Sequence, residues 1–269
     1  MSRFTSVLIL FATVCFAYAQ EPQQPLDSPV EVKSLTILST TLPEADRQRI
    51  IQAYSGKSYA PEELRERVLQ NLRDTGYYAA RADDAQLSND RGGVASRSAH
   101  ISIRVEPGAR YRYGAIMFRG ATVFAPEELR RQFAWKSGEL YNATAIGKGL
   151  EKVRDLYLEK GYINLGVIPK PRLDEARHVV DMDLDIDEGR QASFGFLKLD
   201  GLEPVAGAGK ALIASWKELE GKVYNPQSLK DWLARNSSGW PSDAAARVHT
   251  EYIAGSNRDV AVAVLLHFQ

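Results

Sequence analysis

Cysteine is all but absent. Cys15 is the only one in 269 residues, so disulfides and thiol chemistry are excluded from everything that follows it. The four histidines, His100, His178, His249 and His267, lie apart in strand-like stretches. None has a His or Cys at ligand spacing, which excludes a zinc site written in the sequence. Asp181, Asp183 and Asp185 lack the glycine turn and closing glutamate of a calcium loop. No Gly-x-Ser-x-Gly elbow or His-Glu-x-x-His helix occurs. Gly207-Ala-Gly-Lys210 fails as a phosphate loop, because Pro204 stands where a glycine is needed and Ala211 where a hydroxyl is needed. No basic run occurs, and 34 Lys and Arg balance 34 Asp and Glu. A nucleic-acid partner needs clustered cations and is not expected. No catalytic residue, metal or cofactor is expected.

Long apolar runs are also missing. The longest, Val7 to Phe16, is well short of the ~20 residues that cross a bilayer. With Arg3 before it and Ala17-Tyr18-Ala19 after it, it reads as a signal peptide over residues 1–19. Val14 ahead of Cys15 does not suit a lipoprotein signal. Residues 20–30 are a polar, proline-bearing linker. An exported chain, peripheral to a membrane at most, is expected.

What is present is a repeat. Gly56-Lys-Ser-Tyr59, Gly138-Glu-Leu-Tyr141 and Gly221-Lys-Val-Tyr224 are spaced 82 and 83 positions apart. Tyr113-Gly-Ala-Ile-Met-Phe-Arg-Gly120 returns 81 positions later as Phe194-Gly-Phe-Leu-Lys-Leu-Asp-Gly201. Gly76-Tyr77 returns as Gly161-Tyr162 and again as Gly239-Trp240, and Val105-Glu-Pro-Gly108 as Ile186-Asp-Glu-Gly189. Markers in one register across three segments define a tandem array. The boundaries fall at 31–109, 110–190 and 191–269.

Within each segment the pattern reads strand, helix, helix, strand, strand. Helices are expected over Glu44–Tyr54, Pro61–Thr75, Pro126–Ala134, Tyr141–Lys160, Gly209–Leu219 and Pro226–Arg235. Leu64, Val68, Leu69 and Leu72 recur at helical spacing, as do Ile146, Leu150, Val153 and Tyr157. Asn142 is placed to cap its helix. Gly76 and Gly161 are placed to end theirs, where the left-handed conformation would cost another residue roughly 1–2 kcal/mol. Strands are expected over Val32–Leu38, Tyr78–Leu87, His100–Val105, Tyr111–Gly120, Ile163–Ile168, Val179–Ile186, from Phe194, Ala246–Ile253 and Val260–Phe268. Pro169 and Pro171 break the alternation after Ile168, which suits an edge strand. The fold class is α+β: tandem β-α-α-β-β units, each a three-stranded mixed sheet with two helices on one face.

The aromatic-Gly-x-Ile-x-Phe-x-Gly strand, the Gly-x-x-Tyr before the second helix, the Gly-Tyr after it and the closing Glu-x-Gly together resemble the polypeptide-transport-associated (POTRA) domain. That domain stands in tandem ahead of the barrel in BamA-type outer-membrane assembly factors. The resemblance covers roughly residues 30–269, without the barrel. It implies a non-catalytic periplasmic module whose partners are unfolded outer-membrane proteins or the outer-membrane assembly machinery. It also implies that the second strand of a unit is the edge to which a partner strand adds. The residues so implicated are Ile163, Leu165, Val167, Val248, Thr250 and Tyr252, with Ala79–Leu87 the weaker equivalent. The alternatives are a cell-division or secretion scaffold built from the same domain, and an exported enzyme with a scattered site.

Overall fold

The computed structural model describes residues 28–88, 98–202, 207–237, 240, 246–254 and 260–268. The signal-peptide reading falls outside them. The element order is β1 (Val30–Leu38), α1 (Glu44–Tyr54), β2 (Ser58–Tyr59), α2 (Pro61–Arg73), β3 (Arg81–Ala82), β4 (Gln86–Ser88) and β5 (Ser98–Glu106). Next come β6 (Arg112–Arg119), α3 (Pro126–Arg130), α4 (Ala143–Glu159), β7 (Gly166–Asp174) and β8 (Val179–Asp187). The order ends with β9 (Ala192–Asp200), α5 (Gly207–Trp216), α6 (Pro226–Asn236), β10 (Ala246–Ala254) and β11 (Val260–Phe268). The fold is mixed α+β with three small mixed sheets, ordered β2-β1-β5-β3 with β4 also on β5, β6-β8-β7, and β10-β11-β9.

By contacts the chain divides into two compact units. One holds residues up to Arg67 with Ala82–Val105, the other Val68–Arg81 with Glu106–Gln269. In the first, β1 and β5 run parallel in register Leu35↔Ile101 and Ile37↔Ile103. Their alternate residues Leu35, Ile37, Ile101 and Ile103 are buried, as are Ile50 of α1 and Leu64 of α2. The strand expected over Tyr78–Leu87 is instead two short pieces, β3 and β4, separated by Asp83, Asp84 and Ala85. Aspartate disfavours the pleated backbone.

The second unit carries two sheets of one design. In each, a first strand pairs parallel with the last: β6 with β8 through Ile116↔Met182, and β9 with β11 through Val264↔Leu197. In each, the middle-born strand pairs antiparallel on the far side: β7 with β8, and β10 with β11. One face of each sheet makes a core. Val180, Met182, Leu184 and Ile186 meet Ile146, Val153 and Tyr157 of α4. Val260, Val262, Val264, Leu266 and Phe268 meet Leu212 and Trp216 of α5 and Leu229 and Trp232 of α6. The helix expected over Pro126–Ala134 is the five-residue α3, and Phe133 beyond it joins the core.

The repeat markers prove to be joints and stops. Gly76 and Gly161 take φ of 97° and 82°, and the following tyrosines close the helix ends, with Tyr77 N–H donating to Leu72 O and Tyr162 N–H to Tyr157 O. The carbonyl of Gly76 then accepts from Tyr111 N–H, and that of Gly161 from Ala192 N–H, both at 2.8 Å. Asn142 caps α4 through its own side chain, accepting from Ala145 N–H at 2.7 Å, and Asn225 caps α6 in the same way.

Candidate protein-binding edges

A sheet offers a partner its unpaired outer strands. The Gly-x-x-Tyr motif covers one side of each sheet in the second unit. Gly138 N–H donates to Tyr113 O, Tyr113 N–H to Glu139 O and Tyr141 N–H to Tyr111 O, so the motif lies along the start of β6. Gly221, Lys222 and Tyr224 repeat these bonds along the start of β9. The first strand then bulges, at Tyr113/Ile116 in β6 and opposite Val262/Val264 in β9. A bulge further spoils a strand for pairing. Each bulge is pinned by a tryptophan: Trp135 Nε1–H donates to Gly114 O and Trp216 Nε1–H to Gly195 O, both at 2.9 Å. Glycine is required at 114, where a Cβ would lie 2.1 Å from Asp181 Oδ1. That carboxylate accepts from Ala115 N–H at 2.7 Å.

The other side of each sheet is β7 or β10, and among the described residues no strand pairs with the outer side of either. Val167 lies in β7 and packs partly on the middle core. Val248, Thr250 and Tyr252 lie in β10, opposite Leu266, Val264 and Val262. They therefore share the face of the core residues, yet they are exposed, Val248 by 39% and Tyr252 by 49%.

Ile163 and Leu165 are not on an edge. β7 begins only at Gly166, and the strand expected over Ile163–Ile168 is displaced toward the carboxyl end, running through Pro169 and Pro171 to Asp174. The Gly161-Tyr162 turn holds Ile163 back, and its side chain packs against the third core, with Leu158. Tyr78, which follows Gly76-Tyr77, does the same for the middle core, standing edge-on to Tyr141 with ring centroids 5.0 Å apart. Burial, with Tyr78 and Tyr113 beside it, pushes the Tyr141 phenol well above its ordinary pKa.

The faces of the two sheets away from the helices differ in chemistry. On the middle sheet Asp181, Asp183 and Asp185 face cations across the strands. Arg119 lies 3.3 Å and Arg172 3.5 Å from Asp183, and Lys170 pairs with Asp185. On the last sheet the histidines that look isolated in the sequence come together, with the rings of His249 and His267 5.3 Å apart and His267 Nδ1 2.9 Å from Asp200. Only strand pairing reveals this. Among the described residues no group of His, Cys, Asp and Glu is arranged to hold a metal. No described helix is long and apolar enough to cross a membrane.

The family model for POTRA, described as a surface antigen variable number repeat, matches residues 111–189. An outer membrane protein assembly factor of Treponema pallidum (strain Nichols) is 25% identical over 175 residues, which are 63% of this chain and 21% of that protein. The chain thus spans about a fifth of that relative. Among solved structures, POTRA3–5 of Haemophilus influenzae BamA aligns over 92% of this chain and 99% of its own, at 19% identity and a TM-score of 0.63. BamA of Haemophilus ducreyi lacking POTRA domains 1–3 aligns over 61% of this chain and 29% of its own, at 20% identity and a TM-score of 0.45. The chain is therefore similar to the POTRA domains of BamA-type outer membrane assembly factors: it shares their fold, and its residues 111–189 match the family's own model.

Proposed function

We propose that this chain is a periplasmic, non-catalytic protein-binding module of outer-membrane protein assembly or export. It acts as three POTRA-like units, over 31–109, 110–190 and 191–269, and takes extended polypeptide or partner subunits by adding a strand at an open sheet edge. The observation that carries the reading is β10, a nine-residue outer strand with no described partner on its free side. The likeness to assembly-factor domains supports the setting.

The energetics suit the role. Each main-chain hydrogen bond gained contributes about 0.5–1.5 kcal/mol net. A handful of them gives weak binding that tolerates many sequences, because main-chain groups are the same in every client. Unfolded outer-membrane proteins are the clients that the relatives' setting supports.

The test is dilution of a denatured outer-membrane barrel protein into buffer with and without the purified protein. Suppression of light scattering with no nucleotide or metal added is expected. Undiminished aggregation, together with one tight stoichiometric partner recovered from cells, would favour a scaffold over a client-handling module.

A further inference from the structure

We infer that the middle unit's edge is closed to an added strand, and that docking falls on β10, which fits one extended segment with apolar residues at alternate positions. The inference rests on the edge-addition reading above and narrows it to one strand and one class of partner.

The repeat register makes the comparison position by position. Gly114 and Gly120 correspond to Gly195 and Gly201. Ile116 pairs with Met182, and Leu197 with Val264. Met182 and Val264 are therefore equivalent. Pro171 stands opposite Met182 and Pro169 opposite Leu184, while Thr250 stands opposite Val264 and Val248 opposite Leu266. The two prolines of β7 thus occupy the places of Thr250 and Val248 in β10.

A strand residue sends its N–H and C=O to the same side, and alternate residues send theirs to opposite sides. The β7–β8 ladder runs unbroken from Gly166↔Asp187 to Asp174↔Val179. Proline cannot donate into a ladder, so Pro169 and Pro171 point their backbone away from β8. Val167, Pro169, Pro171 and Leu173 form the outward row. Only Val167 and Leu173, at its two ends, keep an outward N–H. The equivalent row of β10 is Ala246, Val248, Thr250, Tyr252 and Ala254. Each of these carries both a donor and an acceptor. Among the described residues the first sheet offers no comparable row, since β3 and β4 are two and three residues long.

The side chains of β10 set the partner's pattern. Val248, Thr250 and Tyr252 share the face of Leu266, Val264 and Val262, whereas His249 and Glu251 share that of Leu265 and Ala263. An added strand places alternate side chains beside each row. Apolar residues fit beside Val248 and Tyr252, and polar ones beside His249 and Glu251. This is the alternation of a strand made to be buried on one face.

The experiment uses the purified protein with a benzophenone amino acid at Val167 or, separately, at Tyr252. The probe is a nine-residue peptide of alternating valine and threonine with lysines at both ends. Crosslinking at Tyr252 and none at Val167 is expected. Thr250→Pro should weaken peptide binding at least tenfold, and the double change Pro169→Val with Pro171→Thr should create crosslinking at Val167. A peptide N-methylated at alternate residues should bind at least tenfold more weakly, which tests the main-chain mechanism without altering the protein. Equal crosslinking at Val167 in the unaltered protein would overturn the edge assignment while leaving strand addition intact. Unchanged binding by the N-methylated peptide, or crosslinks at neither site, would overturn strand addition and this inference together. A Tyr252 crosslink to a second copy of the chain that excludes the peptide would overturn the choice of partner.

Discussion

Asp74 and Thr144 are 70 positions apart, yet the Asp74 carboxylate accepts both the Thr144 N–H and the Thr144 hydroxyl, each at 2.8 Å. Asn142 Nδ2 donates to the Asp74 carbonyl at 3.0 Å. The residue after one helix thus satisfies an orphan donor at the start of another, where negative charge is favoured.

Asp74→Ala should lower stability by about 1 kcal/mol, the usual worth of a cap. Glu159 holds the equivalent place before Gly161, but Asn225 reaches only its main-chain carbonyl, at 2.8 Å. Glu159→Ala should change stability little. Urea denaturation of both variants checks the contrast.

Glu188 makes stability depend on acid. Burial works to raise its pKa, but hydrogen bonds from the Thr122 hydroxyl, the Val123 and Thr122 N–H groups and the Tyr157 hydroxyl outweigh it and bring the carboxyl down to about 2. A folded value below the unfolded one near 4.5 gives stability that is complete above pH 4.5 and is lost as pH falls toward 2. Glu188→Gln should be less stable at neutral pH and should show a shallower loss between those limits, as thermal melts across the range would report.

Two glycines of α4 should respond oppositely to alanine. At Gly147 a Cβ meets nothing, whereas at Gly149 it would lie 2.1 Å from Phe133 Cδ1. Gly147→Ala should stabilise by up to about 1 kcal/mol through helix propensity. Gly149→Ala should destabilise by about 1–3 kcal/mol through overpacking. Chemical denaturation midpoints decide both.

His178 sits at φ 50° in the turn between β7 and β8, and among the described residues it is the only non-glycine with positive φ. The left-handed region costs such a residue roughly 1–2 kcal/mol, and asparagine tolerates it better. His178→Asn should leave stability unchanged or slightly raised, although it gives up the ring contact with Tyr111 at 5.7 Å. His178→Val should lower it by more than 1 kcal/mol. Melting temperatures would separate the two.

Much of the fold was legible because its signals are local and repeated. α1 runs over Glu44–Tyr54 and β11 over Val260–Phe268, as alternation and helical spacing predict. Gly76 and Gly161 stop their helices as expected. What escaped was set by contacts distant in sequence. Ile163 reads as the start of a strand, but its destination is a core whose strands begin some thirty residues later. The Gly-x-x-Tyr motif reads as a lead into a helix, and its covering of β6 and β9 emerges only from the bonds. The prolines mark β7 as an edge. Their consequence for its free donors needs the register with β8.

The packing of Tyr78 and Ile163 bears on the order in which the chain acquires structure. Each follows the Gly-Tyr turn that ends the second helix of one repeat, and each side chain lies against the core of the next. In a polypeptide delivered amino end first, that turn precedes the strands of the next core. Tyr78 precedes its neighbours Tyr111 and Tyr141 in the chain, as Ile163 precedes Phe194 and Tyr224. Each of the two later cores therefore takes an apolar side chain from the repeat before it, so part of its cover is made ahead of its own strands.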